Sequence, residues 1–244
     1  MITKKFSKLV RWELEEYLSL PVLGFIIASA ILAVLIQNSR PFMSYINIYF
    51  GSGNVFLVLT FVAGAFFSRS FAGSFGRGEI KLLLSYPIKR WQVFLSKFTT
   101  WFVLLFVIYG ATYSLHLYLD GLSLFEPLFY LSLFAFLLQL MLVCGISIAV
   151  SMVTRNEIMS MMSSVLLLVG IDGIFGTENF LSAQGRFWFL FQYFGKLIRG
   201  SQPLGDDVIV TANDIVMAVS VPVLIFVFLF ILSFVYFIYF MEVD

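Results

Sequence analysis

The sequence predicts an all-α polytopic membrane protein with six transmembrane helices, and three observations carry that prediction. Hydrophobic residues make up 61% of the 244-residue chain and charged residues only 12%, against about 25% charged in a soluble globular domain. The mean hydropathy is +0.99. Six apolar stretches, each near the roughly 20 residues that a helix needs to cross a bilayer core, are separated by polar or charged breaks. A soluble protein of this length would need a far larger surface complement than 15 Lys plus Arg and 14 Asp plus Glu, so the apolar excess faces lipid. Thirty Phe and eleven Tyr suit lipid-facing and interfacial positions. A net charge of +1 gives no field that would attract nucleic acid. Cys144 stands alone in an apolar run, which excludes an intrachain disulfide and reads as a small buried hydrophobe.

Residues 1–18 open the chain as an interfacial helix. Ile2, Phe6, Leu9, Val10, Leu14 and Tyr17 share one arc of a helical wheel, with Lys4, Lys8, Arg11 and Glu15 opposite. Glu13 projects into the apolar arc, where an unpaired carboxylate is costly. It is therefore expected to pair with Lys97, Arg90 or Lys89. The basic start and Ala28-Ser29-Ala30 look like a secretory signal. However, Glu13, Glu15 and Glu16 interrupt the basic region and the apolar run continues to Ile36, so the segment reads as a retained span.

The six spans are assigned to Leu20–Ile36, Val55–Phe71, Phe98–Leu119, Leu128–Val153, Ile158–Phe175 and Ile215–Phe240. Gly51 to Asn54 reads as the turn into the second span, and Gly24 and Gly64 as points of close helix packing. Only Thr154 to Glu157 separates the fourth span from the fifth, which makes those two an antiparallel hairpin. With the N-terminus inside, basic residues number four before span one, six between spans two and three and one in the hairpin turn. That is eleven inside, against four outside (Arg40, Arg186, Lys196 and Arg199). The positive-inside rule then puts both termini in the cytoplasm of a multi-pass cell-membrane protein.

Two connections are more than linkers. In residues 73–92, Gly73, Gly76 and Gly78 let the chain break from span two. Glu79 to Leu84 follows as a short helical pattern, with Ile80, Leu83 and Leu84 on one face, and Pro87 suits the first turn of the next helix. In residues 176–214, Phe187, Leu190, Phe191, Phe194, Leu197 and Ile198 recur at helical spacing. This predicts an aromatic-rich helix on the outer leaflet or dipping into it.

Few residues offer chemistry. Asp172 is the acidic residue well within an apolar segment: either a functional intramembrane carboxylate or a group near the outer end of span five that touches water or caps a helix break before Gly173. Gln139 and Thr99-Thr100 could line a path or serve helix packing. His116 is a lone histidine near the outer end of span three, at a different depth from Ser147, so neither a serine protease pair nor a metal site follows. A single buried carboxylate is also too few for an intramembrane aspartyl protease.

The run from Gly78 to Trp91, Gly-Glu-Ile-Lys-Leu-Leu-Leu-Ser-Tyr-Pro-Ile-Lys-Arg-Trp, with Lys97 following, resembles the signature of ABC transporter permeases of the type-2 exporter class. In that family an acidic residue, a Gly-Thr pair, a leucine-rich run, Ser-x-Pro, a basic residue and a later lysine follow span two. Here Ser74 lies where the family often has the acidic residue, and Glu79 replaces the threonine. The layout of an interfacial helix, six spans and a long outer segment is similar along nearly the whole chain.

The resemblance implies a single permease domain over 1–244, with residues 73–92 as a cytoplasmic coupling helix docking on a separate ABC ATPase subunit. Contacts to the ATPase would come from Arg77, Glu79, Ile80, Lys81, Leu83, Leu84, Tyr86, Pro87, Ile88 and Arg90. Leu83, Tyr86 and Ile88 would be anchors, with Glu79 and Lys81 setting register. Gln139 and Asp172 become candidates for the path or outer gate. A second permease chain, membrane lipid and a hydrophobic or amphipathic substrate are the other implied partners. The sequence contains no Gly-x-x-x-x-Gly-Lys-Ser/Thr loop, so ATP and Mg are expected on the partner, with no cofactor bound by this chain. A membrane anchor without transport, or an ion-coupled carrier using Asp172, are the alternatives.

Overall fold

The computed structural model describes residues 2–17, 20–35, 45–80, 88–175, 179–199 and 210–240, and among these there is no strand. We number the helices α1 (Ile2–Tyr17), α2 (Leu20–Leu35), α3 (Tyr45–Ser68), α4 (Arg90–Leu119), α5 (Pro127–Thr154), α6 (Glu157–Phe175), α7 (Ala183–Arg199) and α8 (Ala212–Val235). Five of them, α3, α4, α5, α6 and α8, are long and apolar enough to cross a membrane. The sixth expected span, α2, is equally apolar over 16 residues, about 24 Å at 1.5 Å per residue.

Local chemistry sets the helix ends. Pro127 opens α5, where its missing N–H removes no bond. Arg155, at φ 50°, closes α5 in the left-handed region. The Asn156 side chain then accepts from the backbone N–H groups of Ile158 and Met159, both at 3.1 Å, and starts α6. This two-residue turn is the hairpin expected between the fourth and fifth spans. At α8, Thr211 and Asp214 cap each other's backbone N–H.

Helix α3 is the central element. It packs against α2, α4, α5, α6 and α7, and 72% of its apolar stretch is buried, against 17% for α6 and 11% for α8. The last two therefore leave broad apolar faces outside the bundle. Gly64 lets α6 approach α3: a Cβ there would lie 3.0 Å from Val165 Cγ2. At Gly24, by contrast, a Cβ would have no described atom of another element within 4 Å, so among the described residues it serves no close approach.

Two further expectations are corrected. Gly51 to Asn54 is no turn, since α3 already starts at Tyr45. Ser52 inside it is buried and meets the Tyr113 hydroxyl at 2.8 Å, which pins α3 to α4. Gly73 and Gly76 do not break the second span, because α3 runs on through a π-helical turn, Arg69–Gly73, and a last turn, Ser74–Gly76. The chain leaves at Gly78, whose φ of 72° suits a residue without a Cβ. The expectation for Pro87 lies outside the described residues; α4 begins at Arg90, with Lys89 as its N-cap.

Candidate functional site

One end of the bundle collects α1, the last turns of α3, the start of α4, the α5–α6 turn and the π-helical turn Tyr236–Phe240 that ends α8. We call it the hairpin end. Glu13 and Lys97 meet there with Oε1 2.6 Å from Nζ, and both side chains are almost fully buried. Of the three basic residues considered for Glu13, Lys97 is the partner. The Lys97 ammonium also donates to Ser74 Oγ at 3.1 Å, and Ser74 donates to the Ser70 carbonyl at 2.7 Å. One buried cluster thus joins α1, the end of α3 and the start of α4. Ser74 occupies the position where an acidic residue was expected from the resemblance, and the carboxylate facing Lys97 comes from α1 instead.

The surface around this cluster carries more exposed links. Arg77 donates to both Glu79 oxygens, at 2.5 and 3.3 Å, and to Glu157 Oε2 at 3.1 Å, reaching the first residue of α6. Burial pushes the Glu79 carboxyl up, but the hydrogen bonds from Arg77, the nearby Ser74 hydroxyl and the charges of Arg77 and Lys97 more than offset this. They hold it below the usual glutamate value. Arg90 donates to the Ile238 carbonyl at 3.2 Å and Arg155 to the Tyr236 hydroxyl at 2.7 Å, so the end of α8 is tied to α4 and to the hairpin.

Ile80 is buried against the bundle and Ile88 half-buried against it. Both anchor the 73–92 connection to its own chain here, while Arg77 and Lys89 are exposed. Lys81, Leu83, Leu84, Tyr86 and Pro87 lie outside the described residues.

At the opposite end, α7 does not lie flat on the bundle. Phe187, Leu190 and Phe191 of its aromatic arc are buried, whereas Leu197 and Ile198 at its far end are exposed. Asp172 Oδ1 accepts from the Ala183 N–H at 2.8 Å, capping α7. The expected break before Gly173 is absent, since α6 runs on to Phe175, and the helix that Asp172 caps is α7 instead. Gln139 is buried between α3 and α7: its Nε2 donates to Thr60 Oγ1 at 3.4 Å, and its Oε1 accepts from Arg186 Nη2. Arg186 also donates to the carbonyls of Phe180 and Leu181, at 3.2 and 2.6 Å.

Sequence reasoning counted Arg186 as an outer basic residue and missed its burial. The signal was available, because position 186 precedes Leu190 by four and shares its helical arc. His116 Nε2 and Asp120 Oδ2 come within 3.3 Å of each other at the end of α4, a proximity that sequence spacing did not single out.

No curated protein gives a significant match to the chain. The sequence profile of the ABC-2 family transporter protein matches residues 13–185, a stretch that begins at the buried Glu13 and runs through the first turn of α7. Together with the all-helical bundle and its apolar spans, this match settles the family: the chain belongs to the ABC-2 transporter family, as a multi-pass membrane permease component of an ABC transporter.

Proposed function

We propose that the chain is the permease subunit of an ATP-driven exporter, forms the translocation path as a dimer, and takes its energy from separate ABC ATPase subunits docked on residues 73–92. The observation that carries this reading is the Glu13–Lys97–Ser74 cluster. A connection between two spans needs no buried ion pair to cross from one helix to the next. A segment that must pass force from a docked partner into the membrane needs firm attachment to the helices it moves. Here α1, α3 and α4 are bound together at the root of residues 73–92, and Arg77 extends the attachment to α6 through Glu157.

ATP and Mg would be held by the partner, and the chain would contribute anchors, with Leu83, Tyr86 and the exposed side of Ile88 rimmed by Glu79, Lys81 and Arg90. A few apolar anchors inside a polar rim are the usual anatomy of a docking patch. The wide apolar faces of α6 and α8 and the apolar cavities between helices suit a hydrophobic or amphipathic substrate. An ion-coupled carrier is disfavoured because the Asp172 carboxylate is engaged by the Ala183 N–H. The hairpin end would face the cytoplasm, with both termini on that side and residues 176–214 outside.

Replacing Leu83 and Tyr86 by Asp tests the coupling. The protein should insert normally but lose its co-purifying ATPase, or keep an ATPase whose turnover no longer drives transport. Retained binding with unimpaired transport would sink the docking assignment. The orientation has its own test: a membrane-impermeant maleimide should label Ser201→Cys in intact cells and spare Gly76→Cys. The reverse pattern would invert the topology.

A further inference from the structure

Arg186 is 1% exposed, yet among the described residues no carboxylate pairs with it. Its partners are the Gln139 amide oxygen and the carbonyls of Phe180 and Leu181, and its Nε finds no hydrogen-bond partner among the described residues. Burying a guanidinium against neutral acceptors returns less than burying it against a carboxylate, and a well-packed apolar side chain would hold the same helices together at lower cost. An arginine serving only as a structural strut is therefore a poor solution here.

What the arrangement offers is directionality and reversibility. Gln139 uses both ends of its amide, accepting from α7 through Arg186 and donating to α3 through Thr60. A small shift of α3 against α5 misaligns it. Leu181, whose carbonyl Arg186 holds, also lines an apolar cleft of about 280 Å³ together with Leu142, Ile146 and Val150 of α5, Leu167 and Ile171 of α6 and Leu229 of α8, and exposed Leu167 leaves the cleft open on the outer, apolar face of the bundle. Asp172 lies close enough for its charge to act on Arg186, and is the acceptor at hand once α7 moves.

We propose that Arg186 and Gln139 form a latch that holds α7 and the Phe180–Ser182 turn against α5, and that its release opens this apolar cleft to the α7 side of the membrane. Arg186 and Gln139 are positioning residues for transport, and the inference rests on the permease reading given above. In the closed state the guanidinium is dehydrated and bound in three places. In the open state water and Asp172 receive it, so neither state is so favoured that the other is lost.

The test uses the full chain in intact cells, with Cys144→Ala removing the native thiol and Ile171→Cys reporting on the cleft through its rate of labelling by an impermeant maleimide. Gln139→Leu strands the buried charge and should raise the labelling rate roughly tenfold, the effect of losing one hydrogen bond to a charged group. Arg186→Met removes the charge while keeping the volume, so the closed state gains and labelling should fall below the parent rate.

These opposite signs separate a latch from a strut, because loss of a strut would loosen α7 in both variants. Equal signs, or no change in either, overturn the proposal. So does failure of Arg186→Met to accumulate, since an apolar residue should be tolerated there. If Gln139→Leu does not accumulate, Gln139→Glu decides. A carboxylate facing Arg186 tightens the latch and must slow labelling, and an unchanged or faster rate overturns the idea. Ser201→Cys is the orientation control. If it is silent, the topology is wrong rather than the latch, and the same comparison is run on inverted vesicles.

Discussion

The two ends of the bundle solve one problem, a charge out of reach of water, in opposite ways. At the hairpin end Lys97 meets the Glu13 carboxylate at 2.6 Å. On the α7 side Arg186 meets an amide and two backbone carbonyls. An opposite charge gives a strong, short-range attraction in a low-dielectric site, and separating the pair would strand two ions. Neutral dipoles give less attraction, and releasing them strands nothing but a well-paired amide. The first arrangement suits a joint that must transmit movement without opening. The second suits one that must open. Helix α3 and the turns that continue it carry a member of each, Thr60 in α3 and Ser74 beyond its π-helical turn.

The largest expected effect lies at the ion pair. Glu13→Gln keeps the shape and leaves Lys97 buried without a counter-charge. Removing one partner of a buried pair typically costs about 3–5 kcal/mol, so thermal unfolding of the purified protein should shift clearly downward. Glu13→Leu combined with Lys97→Met removes both charges and should recover most of that stability. If the cluster transmits force, the double variant should still couple ATP hydrolysis to transport poorly despite its stability. A stable double variant that transports normally would reduce the pair to packing. A Glu13→Gln protein as stable as the parent would end the comparison at its first term.

A smaller effect is expected at Asp172. Asp172→Ala removes the cap of α7 and should cost about 1 kcal/mol, read as a modest fall in unfolding temperature. Asp172→Asn keeps an acceptor for the Ala183 N–H and should cost less. Transport abolished by Asp172→Asn at unchanged stability would show that the carboxylate does more than cap, and would sharpen the contrast by making the α7 side a site of charge movement.

The comparison also marks what the sequence could reveal. Hydropathy exposed the long spans because membrane crossing is a property of a segment's own composition. The Thr154–Glu157 turn was legible because so few residues force neighbouring helices antiparallel. Glu13 was legible because a charge on an apolar arc demands a partner. Arg186 satisfies the same criterion on the aromatic arc of α7, but it was read as one of a group of outer basic residues. Counting it for topology hid its place on the wheel. Gly51 to Asn54 misled because glycines in a membrane helix serve packing as readily as turns, and only the neighbouring Tyr113 hydroxyl decides. The partner of Gln139 was not legible at all, since it depends on how far α7 enters the bundle.

The smallest effects belong to the exposed links around the 73–92 root, and they test whether burial rather than charge separates the two classes. Arg77 and Glu157 are 3.1 Å apart with side chains 38% and 43% exposed, so water and salt screen them. Exposed pairs contribute about 1 kcal/mol or less, and Glu157→Gln should move the unfolding temperature little, with the difference fading as salt is raised. Glu79 adds a pH signature. Its folded-state value is depressed, so its contribution to stability is fully present above the ordinary glutamate value, about 4.3, and is lost as pH falls through the lower folded value. Glu79→Gln should therefore flatten the acid limb of the stability profile below about pH 4.3 and leave the neutral region nearly unchanged. A large neutral-pH loss from Glu157→Gln or Glu79→Gln, comparable with that of Glu13→Gln, would mean that the exposed network bears as much of the attachment as the buried pair. The root of the connection would then have to be drawn through Arg77.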